Sequence, residues 1–185
     1  MFFRLLLIGL FFGLIPSAAR GPLDREPTMA AVRFLQGPGD ALADLDSELI
    51  GRSRQAIDMA AYVLTDRNIT DALEAAAGRG VRVRLYLDPE EAGRRGDRYD
   101  PRLERLLRNP KVVARFKSPS RDSMHLKAYH VDGRWLRTGS ANFSFTGAHR
   151  QDNDVMVVEN RDIVTAFIGR FEQMWARADN ELFHP

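Results

Sequence analysis

Residues 124–142 read MHLKAYHVDGRWLRTGSAN, and this stretch predicts a β-hairpin. His125 and Lys127 are two residues apart, so their side chains share one face of a strand. The dipeptide Asp132-Gly133 is a strong signal for a two-residue hairpin turn. We therefore expect residues 134–138 to return as a second strand and to deliver the residues that follow back beside the first.

The predicted hairpin gathers four polar groups: the imidazole of His125, the ammonium of Lys127, the hydroxyl of Ser140 and the carboxamide of Asn142. Such a set suits a phosphate diester. An imidazole can attack phosphorus or move a proton, and the other three groups can donate hydrogen bonds to phosphoryl oxygens as negative charge develops. Gly139, which precedes the serine, allows a close approach of the backbone to a ligand.

Each of these signals has a plainer interpretation when it stands alone. A histidine on a strand usually has a structural role, an Asp-Gly pair is most often only a turn, and Gly-Ser-x-Asn is an ordinary loop composition. Their combination at fixed spacing favours the functional interpretation. The remaining histidines, His130, His149 and His184, have no comparable setting, and we assign them structural roles.

The stretch has the spacing H-x-K, four residues, Asp132, six residues, G-S-x-N, and it resembles the signature of the phospholipase D superfamily at every fixed position. The resemblance extends over roughly residues 32–175. It implies an α/β sandwich with a central mixed sheet flanked by helices. Larger members carry two motifs in one chain, whereas short members carry one and pair two chains. This chain has one motif and no internal repeat, so it is similar to the bacterial single-motif endonucleases.

The resemblance also implies a two-step reaction in a homodimer with a shared active site. His125 of one subunit attacks phosphorus to form a phosphohistidine, and His125 of the other protonates the leaving oxygen and then activates water. Lys127, Ser140 and Asn142 hold the phosphate, and the reaction needs no metal or other cofactor. Asp132 belongs to the same signature, but its place in the turn favours a structural role over proton transfer.

One departure from the short members concerns an acid that follows the G-S-x-N segment. Those relatives often have a glutamate there that orients the histidine, whereas residues 150–154 of this chain read RQDND. Asp152 and Asp154 are both candidates for that role, and a solvated acidic turn is the alternative for each. The chain has no cysteine, which excludes disulfides and the cysteine-and-histidine zinc site of some animal relatives.

The rest of the chain alternates between strand patterns and helical patterns, which predicts an α/β fold with a mixed sheet. The clearest helix is an apolar stripe over residues 163–175, with Asn160 or Asp162 as its cap. We expect the domain to span residues 31–178 and a short tail to follow at residues 179–185.

The amino terminus differs from everything after it. Arg4 precedes an unbroken apolar run at residues 5–15, and small residues follow at 17–19. This pattern predicts a signal peptide over residues 1–19, and hence a secreted or periplasmic protein. An uncleaved membrane anchor is the alternative, although a membrane span needs about 20 apolar residues. Residues 20–30 are predicted to form a linker.

A run of basic residues without acids leads into the motif. It contains Arg108, Lys111, Arg115, Lys117 and Arg121. Because cations along a path can neutralise successive phosphates, we interpret this run as a candidate groove for nucleic acid, with a solvated surface as the alternative.

Three functions are consistent with the sequence. The first is a nuclease that cleaves DNA or RNA. The second is a phospholipase D that acts on phospholipid head groups with the same residues, although no apolar rim is evident beyond the amino-terminal segment. The third is a non-catalytic protein that binds nucleic acid or phosphate, which the intact motif argues against.

Overall fold

The computed structural model describes residues 30–92, 94–95, 98–118 and 122–183. The predicted signal peptide and nearly all of the predicted linker lie outside this part of the chain, as do Arg121 and His184. None of the helices that the structure describes has the length and apolar character needed to cross a membrane.

Strands and helices alternate along most of the chain. The strands are β1 (Ala31–Gln36), β2 (Ala56–Ala61), β3 (Arg82–Leu87), β4 (Arg94–Arg95), β5 (Arg98–Tyr99), β6 (Val112–Phe116), β7 (Lys127–Val131), β8 (Trp135–Gly139), β9 (Asp154–Glu159) and β10 (Glu181–Leu182). The helices are α1 (Asp40–Gly51), α2 (Arg67–Gly78), α3 (Pro101–Leu107), α4 (Phe145–His149) and α5 (Arg161–Trp175).

Eight of the strands form one mixed sheet in the order β1-β9-β8-β7-β2-β3-β6-β10. The strands β2, β3 and β6 are parallel, with α2 and α3 in the crossovers, whereas the other neighbouring pairs are antiparallel. The short β4 and β5 pair separately. The predicted central mixed sheet with flanking helices is therefore confirmed.

Helices cover both faces of this sheet, so its central strands are buried. The helices α1 to α4 pack on one face, in a core that includes Leu49, Leu73 and Leu106. The helix α5 covers the other face, where Phe171 packs with Tyr86 of β3. Burial on both faces explains why β2 reads as a nearly continuous apolar run.

The helix α5 begins where the sequence places its cap. Oδ1 of Asn160 accepts hydrogen bonds from the backbone N–H groups of Asp162 and Ile163, both at 3.0 Å. Of the two candidate caps, Asn160 is therefore the one that satisfies the first turn. The stripe buries Val164 and Phe171, whereas Ile163 lies at its border and stays exposed.

One edge of the sheet collects the strand ends around the hairpin motif. Ala61 at the end of β2 pairs with Leu87 at the end of β3, which pairs with Phe116 at the end of β6. Ala61 also pairs with Lys127, the first residue of β7, and β8 ends close by at Gly139. We call this set of strand ends the motif edge. In open α/β sheets, ligands bind outside the carboxyl ends of the parallel strands, which lie here.

Candidate active site

The predicted hairpin is present as β7 and β8. Val131 pairs with Trp135, and between them Asp132 and Gly133 have positive φ angles of 55° and 65°. Three residues separate the paired positions, one more than predicted, because Arg134 belongs to the turn and not to the returning strand. Aspartate and glycine tolerate positive φ better than most residues, which explains why Asp-Gly marks this turn.

The carboxylate of Asp132 ties the turn to the neighbouring strand. Its oxygens accept hydrogen bonds from the backbone N–H groups of Arg54 at 2.9 Å, Gln55 at 2.8 Å and Ala56 at 2.9 Å. The length of β7, about 17 Å at roughly 3.4 Å per residue, separates this carboxylate from the motif edge. The structure therefore places Asp132 at the opposite end of the hairpin from the other motif residues of the same chain.

His125 lies two residues before Lys127, the first residue of β7, whereas the sequence predicted it within the strand. The backbone is fixed on both sides of it. The N–H of Met124 donates to Oδ2 of Asp88 at 2.7 Å, and the carbonyl of Leu126 accepts from the N–H of Tyr62 at 2.9 Å. The imidazole is exposed, so these bonds position His125 without covering it.

Lys127 is enclosed at the motif edge, with 7% of its surface exposed. Its Nζ donates to the carbonyl oxygen of His125 at 2.9 Å and lies 4.5 Å from the ring centroid of Tyr62. The same ring lies 4.5 Å from the imidazole of His125, centroid to centroid. Burial lowers the pKa of Lys127, and the charge of Asp88 opposes this shift. The aromatic ring of Tyr62 therefore contacts both the imidazole of His125 and the ammonium of Lys127.

The loop after β8 is held to β9 by Ser140 and Asp154. Oδ1 of Asp154 accepts from the N–H of Ser140 at 3.0 Å, and the N–H of Asp154 donates to Oγ of Ser140 at 2.9 Å. The hydrogen bonds from Ser140 lower the pKa of the Asp154 carboxyl. The Ser140 hydroxyl in turn donates to Oδ1 of Asn153 at 3.0 Å. Of the two candidate acids, Asp154 is thus bonded to the motif, whereas Asp152 is exposed and lines a shallow groove beside it.

Gly139 is required by the packing of two strands. Its φ is 148°, and a Cβ at this position would lie 2.3 Å from the carbonyl oxygen of Asp154. A side chain would therefore push β8 away from β9. The sequence suggested room for a ligand at this glycine, but the structure shows that β9 occupies the space.

Arg137 joins the two halves of the motif. Its Nη1 donates to the carbonyl of Lys127 at 3.0 Å and to the carbonyl of Ala141, the neighbour of Asn142, at 3.1 Å. Its Nε and Nη2 donate to the two carboxylate oxygens of Asp46, both at 2.9 Å. Because the guanidinium is fully buried and charge-paired, it fixes the ends of both strands at the motif edge.

The carboxamide of Asn142 is incompletely satisfied. Its Oδ1 is buried and has no hydrogen-bond partner within the part of the chain that the structure describes. Leaving a buried polar atom without a partner costs about 1–3 kcal/mol, so the fold does not use the full hydrogen-bonding capacity of this carboxamide. The motif edge thus combines an exposed imidazole, an enclosed ammonium and an unsatisfied carboxamide.

The predicted basic groove is divided by the structure. Arg108 pairs with Glu104 at 2.7 Å. With Lys111 it lies at the start of β6, about 17 Å from the motif edge at roughly 3.3 Å per residue. Arg115 packs its guanidinium 4.8 Å from the ring centroid of Trp175 and donates to the carbonyl of that residue. Arg108, Lys111 and Arg115 therefore do not line one continuous path to the motif.

Lys117 is the member of the basic run that the structure brings to the site. It lines a cavity that also includes His125. Arg121 lies outside the described residues. Among the described members of the run, Lys117 therefore lies nearest the motif, because the carboxyl end of β6 reaches the motif edge.

Comparison with known proteins identifies the family. Residues 47–175 match the family described as "Cardiolipin synthase, PLD-like domain", and this range contains the whole hairpin motif. The chain belongs to the phospholipase D family. Membership of the phospholipase D family agrees with the resemblance that the spacing of the motif indicates.

Curated relatives in the phospholipase D family carry the names of lipid hydrolases. The mitochondrial cardiolipin hydrolase of Xenopus tropicalis is 27% identical over 131 residues, which cover 71% of this chain and 60% of that protein. The phospholipase D of Rickettsia felis is 31% identical over 119 residues, which cover 64% of this chain and 56% of that protein. This chain therefore spans little more than half the length of these relatives.

Solved structures show the same fold. Nuc from Salmonella typhimurium, a phospholipase D family member, has a TM-score of 0.71 at 23% identity, with 85% of this chain and 100% of that chain covered. NucT from Helicobacter pylori has a TM-score of 0.72 at 17% identity, with 84% of this chain and 100% of that chain covered. At these identities the likeness establishes the phospholipase D fold of the sheet and its flanking helices.

Proposed function

We propose that the protein is a phosphodiester hydrolase with a histidine nucleophile and that it acts on DNA or RNA. The observation that carries this proposal is the arrangement of His125 and Lys127 against the ring of Tyr62. The imidazole is open to a substrate, and the ammonium is enclosed next to it. An accessible nucleophile beside an enclosed positive charge suits attack on phosphorus, because the phosphoryl oxygens gain negative charge as the bond forms.

The proposed reaction has two steps. In the first, an imidazole nitrogen of His125 attacks phosphorus, the bond to the leaving oxygen breaks, and that oxygen takes up a proton. In the second, water attacks phosphorus, the phosphorus–nitrogen bond breaks, and His125 is regenerated. Lys127 donates hydrogen bonds to the phosphoryl oxygens through Nζ, and Asn142 donates through Nδ2. Ser140, bonded to Asp154, orders the loop that carries Asn142.

We propose that the proton in both steps is carried by His125 of a second copy of the chain. Within the described part of one chain, His130 is buried and hydrogen-bonded to a buried carboxylate, and His149 packs on Phe145 with 4.5 Å between ring centroids. A two-fold interface brings the same residue of each subunit to one place. Leu126, next to His125 and 40% exposed, adds apolar surface that a second copy would cover.

The second candidate function is a phospholipase D activity on phospholipid head groups. The names of the curated relatives favour it, and so do the exposed side chains of Leu126 and Phe145 near the motif. Non-catalytic binding of nucleic acid is the third candidate, and the accessible His125 opposes it. Nucleic acid is favoured as the substrate by the positive charges of Lys117, Arg170 and Arg177 beside His125.

We expect the reaction to proceed without a metal ion, since His125 itself supplies the nucleophile. The chain has no cysteine, and the residues that the structure describes contain no group of three or more metal-ligating side chains. The test is to offer the purified protein plasmid DNA, RNA and phosphatidylcholine, each with excess chelator. We expect cleavage of nucleic acid that the chelator does not reduce.

Three other outcomes would contradict the proposed nuclease function or its mechanism. Hydrolysis of phosphatidylcholine alone would establish the lipid activity. Binding of nucleic acid without hydrolysis of any substrate would establish the non-catalytic function. Loss of activity with chelator, restored by a divalent ion, would contradict the histidine-only mechanism.

A further inference from the structure

A cavity of about 290 Å³ opens beside His125, between the end of β6 and α5. Three cationic side chains line it: Lys117, Arg170 and Arg177. Arg170 lies on α5 and Arg177 follows the end of that helix, so they are 45 and 52 residues from His125 in sequence. They were not part of the predicted basic run, because only the packing of α5 across the sheet brings them to His125.

The three cations keep their charge available to a ligand. Lys117 donates to a backbone carbonyl, Arg177 donates to the hydroxyl of Tyr86 at 3.2 Å, and Arg170 donates to the side-chain oxygen of Gln173 at 3.2 Å. All three acceptors are neutral. Across the described ranges of the chain, none of the three cations forms an ion pair with a carboxylate.

This pattern differs from that of two other arginines on the same protein, Arg108 and Arg84. Arg108 is paired with Glu104, and Arg84 is held between Asp58 and Glu172. The charges of those two guanidinium groups are paired with carboxylates of the same chain. The cations of the cavity are oriented by neutral groups and converge on space next to the nucleophile, which is the arrangement expected of an anion site.

We propose that this cavity binds a second phosphate of the substrate, namely the one adjacent to the phosphodiester that His125 attacks. The inference rests on the proposed function and narrows the substrate to a molecule with repeated phosphates, a nucleic-acid strand. The guanidinium groups of Arg170 and Arg177 offer planar donor pairs that match phosphate oxygens, and Lys117 adds a point charge. The volume lies near the lower end of ligand pockets, which suits one phosphate with its attached sugar.

A lipid with two phosphates, such as cardiolipin, is the competing occupant. Its acyl chains need apolar surface close to the phosphates. Of the seven large hydrophobic side chains that are exposed on the described part of the molecule, only Leu126 lines this cavity. The surroundings of the cavity therefore favour a nucleic-acid strand.

The test compares two trinucleotides that differ by one charge. Both contain the same scissile phosphodiester, and the second linkage is a phosphate in one and a neutral methylphosphonate in the other, placed on the 5′ side and on the 3′ side in separate pairs. The measured quantity is the ratio of kcat/KM for the charged over the neutral substrate. For the native protein we expect a ratio of roughly ten or more on one side, because charge-assisted hydrogen bonds to phosphate are lost in the neutral substrate.

Three variants locate the effect. In the double variant Arg170→Gln/Arg177→Gln, the ratio should fall to near one. In Arg170→Gln alone the ratio should fall in part. The side chain of Arg170 is exposed, so this single substitution should not disturb folding. The matched control is Arg161→Gln, which removes an exposed arginine from the first turn of the same helix and should keep the native ratio. A ratio near one in the native protein, or an unchanged ratio in the double variant, would overturn the inference while leaving the nuclease function intact.

A binding measurement separates failure of the cavity from failure of the proposed function. A fluorescent single-stranded oligonucleotide is titrated into His125→Ala protein at increasing salt, with and without the double substitution. Loss of one phosphate contact should make the slope of log K against log salt shallower by about 0.7. Equal slopes would overturn the inference, whether or not nucleic acid is cleaved. A preference for cardiolipin over phosphatidylglycerol that vanishes in the double variant, without any change in the oligonucleotide slope, would assign the cavity to lipid and likewise overturn it.

Discussion

The two ends of the β7–β8 hairpin carry polar residues of one sequence motif, but these residues differ in how fully their hydrogen bonds are satisfied. At the turn, the carboxylate of Asp132 accepts three backbone hydrogen bonds. At the motif edge, the imidazole of His125 is exposed and Oδ1 of Asn142 has no partner among the residues described. The comparison teaches that residues at fixed spacing in one motif can serve either the fold or the chemistry, and that the saturation of their hydrogen bonds separates the two roles.

The largest expected effect follows from removing the imidazole at the open end. His125→Ala should reduce phosphodiester hydrolysis by more than about 10⁴-fold, because the nucleophile and the proton carrier are lost together. The free energy of unfolding should change by no more than about 1 kcal/mol, since the side chain is exposed. Steady-state kinetics and urea denaturation measure the two quantities on the same preparation. A loss of stability well above about 1 kcal/mol would mean that His125 has a structural role.

At the turn of the hairpin, where the hydrogen bonds of Asp132 are satisfied, we expect a substitution to reduce stability more than activity. Asp132→Ala should lower the free energy of unfolding by about 2–3 kcal/mol, because three N–H groups lose a charged acceptor and alanine is strained at positive φ. Hydrolysis per folded molecule should change much less than in His125→Ala. Asp132→Asn is the matched control, since asparagine tolerates the same φ and keeps one acceptor oxygen for the N–H groups of Gln55 and Ala56, and its effect on stability should be smaller. A loss of activity in Asp132→Asn without loss of stability would place this carboxylate in the chemistry.

Much of the fold could be predicted from local patterns. The turn at Asp132-Gly133 and the cap at Asn160 depend on residues close in sequence, and both were found there. The pair Glu104–Arg108 has the four-residue spacing of a helical ion pair, which is a signal against a role in the groove that sequence reasoning passed over.

The residues that support the site were missed because their roles depend on distant contacts. Arg137 reads as an exposed strand residue until the carboxylate of Asp46, 91 positions away, is brought to it. Tyr62 and Asp88 read as the end of an apolar run and as a strand terminator. Only the pairing of β2 with β3 and β7 places them around His125. Sequence periodicity identifies a buried face, but it does not identify which element covers it.

A smaller and more local effect concerns Lys127. Burial lowers its pKa from the ordinary value of 10.5, so its ammonium should lose its proton at lower pH in the folded protein than in the unfolded chain. Between the lowered and the ordinary pKa, the unfolded chain binds more protons than the folded one, so this group makes stability rise with pH in that window. NMR titration of ¹³Cε-labelled lysine resolves the lysine resonances, and Lys127→Arg assigns the one that disappears. Titration of Lys127 at or above the ordinary value of 10.5 would show that the site is solvated and not enclosed.

We propose that one active site uses His125 from two chains, and an experiment that mixes subunits can test this sharing. His125→Ala protein is unfolded together with wild type, refolded at a series of ratios, and assayed on the substrate that the wild type cleaves. A mixed dimer then holds one imidazole where the reaction needs two, one to attack phosphorus and one to protonate the leaving oxygen. With random pairing, activity per total protein should fall as the square of the wild-type fraction. A fall in direct proportion to that fraction would show that each chain works alone, and it would contradict the shared site.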